Sequence, residues 1–149
     1  MTIESGAIIQ HAIQLAVAPV FLLSGVAGLL GVMAGRLARI VDRARDLEQR
    51  WAAMDEKALA RARTEIPNLE RRRHLASWSI NLCTGAALLV CIVIVTLFFE
   101  EFFGANLKWF AGAQFVGAMI ALLCGLSSFL REVYLATHTG RIEAERFVR

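Results

Sequence analysis

Three long apolar stretches constrain this chain more than any other feature of its sequence. A helix needs about 20 mostly apolar residues to cross the hydrocarbon core of a bilayer, and stretches of that length occupy residues 7–35, 78–99 and 109–130. Apolar residues make up 57% of the chain, against roughly 45–50% in soluble domains, and the excess lies in these stretches. We therefore predict an all-α membrane protein with three transmembrane helices, built as a single membrane domain over residues 1–149.

The distribution of basic residues predicts the orientation of these spans. Of the 16 Lys and Arg residues, 15 lie either in residues 36–73 or after Leu130, and only Lys108 lies between the second and third spans. Lys and Arg are enriched in cytoplasmic loops. We therefore expect the N-terminus outside, and a cytoplasmic location for both the segment between the first two spans (36–77, called the arm) and the tail (131–149).

Apolar residues recur at alternating spacings of three and four in the arm, which is typical of a coiled coil. The residues in this pattern are Leu37, Ile40, Ala44, Leu47, Trp51, Met54 and Ala58. We predict that the first helix continues through them and breaks near 64–67, where Thr64 would cap a second helix and Pro67 would fit its first turn. The result would be a helical hairpin with a longer first limb, its limbs packed on each other or paired with a neighbouring subunit.

Arginines flank the ends of the spans on the predicted cytoplasmic side. There they would contact anionic lipid headgroups or face the cytoplasm. Electrostatic attraction to anionic lipids contributes roughly 1 kcal/mol per basic residue near the surface. A ligand-binding role is the alternative. The arginines concerned are Arg36, Arg39, Arg43, Arg71, Arg72 and Arg73.

Polar residues on the first span give the best indication of function. Gln10, His11, Gln14 and Ala18 share one face of a helix, and polar groups inside a membrane usually face protein or water. A ring of such helices would line a pore, with Glu100 and Glu101 as an outer acidic ring. Alternatively, the face packs against the other spans of the same chain.

Two stripes of small residues predict close helix packing, within one chain or between copies. Their members are Gly28, Gly31 and Gly35 on the first span, and Ala113, Gly117, Ala121 and Gly125 on the third.

The runs 13–25 (IQLAVAPVFLLSG) and 36–45 (RLARIVDRAR), with the later Arg71–Arg73, resemble a bacterial family known as domain of unknown function 2721. The resemblance covers about residues 8–130, and the stretch Arg39–Arg43 is its most specific part. It implies a multi-pass protein of the bacterial inner membrane, and it implies no activity.

Two functional hypotheses remain open from the sequence. The first is a homo-oligomeric channel or permeation pathway lined by the first helix, and the second is a membrane-anchored scaffold or regulator whose arm binds an unknown cytoplasmic partner. Neither catalytic constellations nor metal-ligand spacings occur, so we expect no enzyme, cofactor or metal site. A net charge of +3 gives no support for nucleic-acid binding. The expected partners are the lipid bilayer and other copies of the chain.

Overall fold

Three long helices make up almost all of the described structure. The computed structural model describes the backbone of residues 2–104 and 106–146, and the side chains of residues 10, 13, 14, 16–104 and 106–136. The helices are α1 (Thr2–Arg50), α2 (Glu56–Phe103) and α3 (Lys108–Arg146), with a short 3-10 helix at Trp51–Ala53. Within the described backbone there is no strand, so the protein is all-helical.

All three helices contain segments long and apolar enough to cross a membrane. Only 22%, 28% and 11% of the residues in their most apolar windows are buried inside the chain. Most of the apolar surface of each helix therefore faces outward, where lipid or other copies of the chain would have to cover it.

The break in the arm lies earlier than the sequence predicted. α1 ends at Arg50 and α2 begins at Glu56, where Asp55 Oδ1 accepts a hydrogen bond of 3.0 Å from the backbone N–H of Ala58. An aspartate at this position satisfies a backbone donor that the first helical turn leaves unpaired. The Thr64 hydroxyl instead donates to the carbonyl of Arg61 inside α2. The predicted cap at Thr64 is therefore wrong, and the second limb is the longer one.

The turn between α2 and α3 is shorter than the predicted loop at 100–108. α2 continues to Phe103 and α3 begins at Lys108. Gly104 follows α2 with a φ of +63°, and its N–H donates to the Glu100 carbonyl at 2.9 Å. A left-handed glycine at this place ends a helix without the steric cost that a side chain would add.

Buried positions recur every seven residues along each helix, which is two helical turns. They are Pro19, Val26, Met33, Ile40 and Leu47 on α1; Ala62, Leu69, Ala76, Cys83 and Val90 on α2; and Ala111, Ala118, Gly125 and Glu132 on α3. Of the predicted four-residue stripe on α3, only Gly125 belongs to this series of buried positions. Ala113 is exposed, and Gly117 and Ala121 are half-buried. A four-residue step rotates about 40° around a helix, so such a stripe leaves the contact line.

The chain divides into two compact units whose boundaries cut across all three helices. The first unit comprises Met1–Leu30 and Leu82–Cys124, and its buried side chains are mostly small, including Ala86, Val90 and Ala118. The Thr96 hydroxyl lies 3.2 Å from Oε1 of Gln114 in this unit. Gln14, which lies on the face that would pack against the other spans in the packing alternative, is exposed.

The second unit comprises Gly31–Asn81 and Gly125–Arg149. The two limbs pack on each other within the chain, through an apolar cluster of Ile40, Leu47, Ala62, Leu69 and Ala76. Because α1 ends at Arg50, the predicted repeat does not continue along it through Trp51, Met54 and Ala58.

Candidate functional site

A fully buried carboxylate lies in the second unit, on α3. Glu132 has a side-chain exposure of 0%, and it follows Gly125 by one seven-residue step on the buried face of the helix. Burying a charge costs several kcal/mol unless opposite charges and hydrogen bonds compensate for the lost water. The partners of Glu132 therefore decide whether this position is tolerable.

Two arginines from two other helix segments hold Glu132. Arg72 of α2 donates from Nε and Nη2 to Oε1, at 3.1 and 3.0 Å. Arg36 of α1 donates from Nη1 to Oε2, at 3.3 Å. Both carboxylate oxygens are thus occupied by charge-assisted hydrogen bonds, which are stronger than neutral ones. We call this arrangement of Arg36, Arg72 and Glu132 the clamp.

The arginines of the clamp remain partly accessible to solvent. Their side chains are 37% exposed for Arg36 and 27% for Arg72. The Arg36 guanidinium also lies 5.6 Å from the ring centroid of Phe129, which is one turn before Glu132 on α3 and supplies a cation–π contact. Since two positive charges meet one negative charge, the clamp keeps a net positive charge at its accessible side.

A second polar contact lies two turns from the clamp. The buried hydroxyl of Ser79 donates to the carbonyl oxygen of Gly125 at 2.8 Å and lies 3.4 Å from Sδ of Met33. Like the clamp, this contact draws one residue from each helix. The two contacts together fix the helices of the second unit in both position and register.

A third polar contact joins the limbs of the arm at the surface. Arg43 donates to Glu65 from Nε and Nη2, at 2.8 and 3.1 Å, and lies 3.5 Å from Asp46. Their side chains are a third to a half exposed, and exposed ion pairs contribute only about 0–1 kcal/mol. This pair aligns the limbs more than it stabilises them.

The structure divides the six predicted headgroup arginines into two groups. Arg36 and Arg72 belong to the clamp, and Arg43 binds Glu65. The second group, which is Arg39, Arg71 and Arg73, is exposed and forms no ion pair with any residue that the structure describes. Contact with lipid headgroups stays a prediction for all six.

The predicted pore residues all belong to the first unit. Gln10, Gln14 and Ala18 are exposed, and the side chain of His11 lies outside the described residues. Glu100 and Glu101 are half-buried near the end of α2; the Glu100 Oε2 atom is buried and has no hydrogen-bond partner in the part of the chain that the structure describes.

The small residues of α1 have no close packing partner among the residues that the structure describes. Gly28, Gly31 and Gly35 are exposed, and a Cβ added at any of them would meet nothing within 4 Å. Close packing through this stripe therefore stays a prediction.

Sequence reasoning missed Glu132 and Ser79. The signal for Glu132 was available, because it continues the seven-residue series Ala111, Ala118 and Gly125 beyond the third apolar stretch. An acidic residue on the apolar line of a helix predicts a buried ion pair, and Arg36 and Arg72 lie at the corresponding ends of the other two spans.

Comparison with known proteins identifies a family. A family described as "Protein of unknown function (DUF2721)" matches residues 16–142, which include all three members of the clamp. No curated protein and no solved structure matches the chain. Among the described residues, no three His, Cys, Asp or Glu side chains are grouped as ligands for a metal ion.

Proposed function

The chain belongs to the DUF2721 family, whose description names no activity, and we propose that it forms a homo-oligomeric permeation pathway lined by α1. The observation that supports this proposal is the exposure of Gln10, Gln14 and Ala18 on one face of α1. Polar groups inside a membrane are costly in lipid and usually face protein or water. If copies of α1 surround a common axis, this face contacts neighbouring protein and the water of the pathway.

A glycine ridge on α1 offers a surface for the neighbouring copy. Gly28, Gly31 and Gly35 are exposed with open space above them. Small residues spaced by about one turn let membrane helices approach closely, so that backbone packing drives their association. Since the buried positions of one chain are filled by its own side chains, the proposed pathway runs between copies.

Subunit counting tests the association. Gly31→Leu should lower the subunit number in lipid nanodiscs through steric clash between copies, while leaving the unfolding of the single chain unchanged. The matched control is Gly112→Leu, at an exposed glycine of α3 that also has open space above it. Wild-type protein that stays monomeric in several mild detergents and in lipid would contradict the proposal.

Ion flux into liposomes tests the pathway itself. Gln14→Ala should change the flux with little loss of thermal stability, because a neutral amide can replace part of the hydration shell of a passing ion. Gln49→Ala, also at an exposed glutamine of α1 but within the arm, is the control that should leave flux unchanged. Assembled protein that passes none of Na⁺, K⁺, Cl⁻ and H⁺ would refute permeation.

We further propose the orientation and location expected from the sequence, which are a bacterial inner membrane, an outer N-terminus, and a cytoplasmic arm and tail. In a variant without the native cysteines, a membrane-impermeant maleimide should label Asn106→Cys in intact cells. It should label Asp55→Cys only after lysis. Labelling of Asp55→Cys from outside would reverse the orientation.

The clamp favours a second candidate function, a membrane-anchored scaffold. Because Arg36 and Arg72 bind the same residue of α3, movements of either limb and of α3 are coupled, as a regulator would need. Photocrosslinking in cells from the exposed positions Glu48 and Arg61 separates the candidates. Crosslinks to a different protein would support a scaffold, whereas crosslinks between copies alone would support the homo-oligomer.

A further inference from the structure

A groove runs between α2 and α3 in the second unit, beside the clamp. Its volume is about 480 Å³. Two arginines, three leucines and the single tyrosine of the chain line it: Arg71, Leu75, Leu130, Arg131, Tyr134 and Leu135. Both charged and apolar side chains thus face one space, which suits an amphipathic occupant.

The lining residues are ordered along the groove. On α2, Arg71 precedes Leu75 by one turn and the second apolar stretch follows; on α3, Leu130 ends the third apolar stretch and Tyr134 lies one turn further on. Leu75 and Leu130 therefore lie on the side of the apolar spans, and Arg71 on the side of the charged arm. On α2 this is the order of acyl chain and headgroup in one leaflet of a bilayer, whereas on α3 Arg131 adjoins Leu130 and Leu135 lies beyond both.

The two arginines of the groove form no ion pair with any residue that the structure describes. Arg36, Arg43 and Arg72 each bind a carboxylate. Arg71 and Arg131, by contrast, are exposed and form no ion pair within the part of the chain that the structure describes. Two unpaired guanidiniums next to an apolar wall favour a ligand that carries a negative charge on an apolar body.

Two exposed aromatic residues lie at the same level along the helices as the groove. Trp78 is 53% exposed and Tyr134 is 64% exposed, and both lie where the apolar spans meet charged sequence. Trp and Tyr concentrate at this depth because their rings are apolar and one edge is polar. Trp78 shares a helix face with Arg71 and Leu75, since it follows them by seven and three residues.

We propose that this groove binds an anionic phospholipid, with its phosphate between Arg71 and Arg131 and an acyl chain along Leu75 and Leu130. A zwitterionic lipid carries a cation next to its phosphate, which these arginines would repel, so the groove should prefer phosphatidylglycerol over phosphatidylcholine. This inference concerns one bound lipid and does not depend on permeation or on the number of subunits.

Quenching of Trp78 fluorescence tests the proposal. The protein is prepared with Trp51→Phe and Trp109→Phe, so that Trp78 is the remaining tryptophan. It is reconstituted in vesicles of phosphatidylcholine and phosphatidylglycerol, with bromine on the acyl chains of one lipid at a time. We expect stronger quenching by brominated phosphatidylglycerol, and a loss of preference of roughly fivefold for Arg71→Gln or Arg131→Gln.

The control is Arg73→Gln, which removes the same charge at the same depth from a different face of α2. It should leave the preference unchanged, and Arg71→Lys should keep most of it. Equal quenching by both lipids would overturn the proposal. An equal loss in Arg73→Gln would also overturn it, because the preference would then come from surface charge in general. Displacement of the lipid by millimolar glycerol phosphate would show recognition of the phosphate alone and refute a lipid site.

Discussion

Glu132 Oε1 accepts two hydrogen bonds from Arg72, at 3.1 and 3.0 Å, across 60 residues of sequence. The two partners differ in their access to water, since the Glu132 side chain is completely buried and the Arg72 side chain is 27% exposed. An arginine that loses its partner can turn toward water, but the carboxylate cannot. The clamp is therefore more sensitive to the loss of an arginine than the symmetry of an ion pair suggests.

Glu132→Gln should lower the free energy of unfolding by about 2 kcal/mol, because it replaces the charge-assisted hydrogen bonds from Arg36 and Arg72 with weaker ones to a neutral amide, while both guanidiniums can still turn toward water. Reversible unfolding by SDS in mixed micelles measures the change. Glu48→Gln, at an exposed acid of α1, is the control and should change stability by less than about 0.5 kcal/mol. Equal effects of the two substitutions would mean that the clamp does not stabilise the fold.

Arg72→Gln should destabilise the protein more than Arg36→Gln. Arg72 supplies two hydrogen bonds of 3.0–3.1 Å to Glu132, whereas Arg36 supplies one of 3.3 Å and keeps its contact with Phe129. A double-mutant cycle with Glu132→Gln should give a larger coupling energy for Arg72. The opposite order would show that Arg36 is the principal partner of the carboxylate.

Ser79→Ala should cost about 1 kcal/mol, the usual contribution of one hydrogen bond between uncharged groups. The lost bond is that to the Gly125 carbonyl, at 2.8 Å. Ser24→Ala, at an exposed serine of α1, should have little effect in the same unfolding measurement. A cost for Ser24 equal to that for Ser79 would exclude the buried hydrogen bond as the cause.

Asp55→Ala should destabilise α2 by about 1 kcal/mol, because Asp55 accepts the hydrogen bond from Ala58 at the start of the helix. Asp55→Asn should keep most of the stability. Thr64→Ala is the informative control, since Thr64 lies inside α2 and its hydroxyl binds the Arg61 carbonyl. If Thr64→Ala were the costlier change, the arm would break where its sequence alone suggests.

Gly104→Ala should cost about 1 kcal/mol through backbone strain, because the φ of +63° is unfavourable for a residue with a Cβ. Space is not the reason, since an added Cβ would meet nothing within 4 Å. Gly112→Ala has the same free space without the unusual φ and should be neutral or stabilising. Similar results for both glycines would argue against a left-handed turn after α2.

The helices and their apolar spans follow directly from the sequence because a membrane requires long runs of apolar residues, which composition alone reveals. The helix ends in the arm do not follow as easily. Thr64 and Pro67 look like a helix start, yet both fit inside α2, because tertiary packing of Ala62 and Leu69 outweighs these local signals.

The residues of the candidate site were likewise only partly predictable from the sequence. Sequence reasoning found Arg36 and Arg72 but assigned them to lipid, since an arginine near a membrane has an obvious partner there. Glu132 escaped notice because the small residues of α3 were read with a four-residue step instead of the seven-residue step that its buried positions follow. Which of several arginines binds a given carboxylate depends on how the helices are aligned with each other. That alignment cannot be read from the sequence of one helix alone.

Because buried positions in the arm recur every seven residues, each limb is built from seven-residue repeats. Residues 41–47 and 62–68 are one repeat each, and together they contain both partners of the Arg43–Glu65 ion pair. Deleting both segments would shorten each limb by about 10 Å while returning the remaining side chains to their original faces. A deletion of five residues, by contrast, would rotate the rest of a limb by about 140° against its partner. The arm could therefore be shortened or lengthened in steps of two helical turns, with the clamp unchanged at its base.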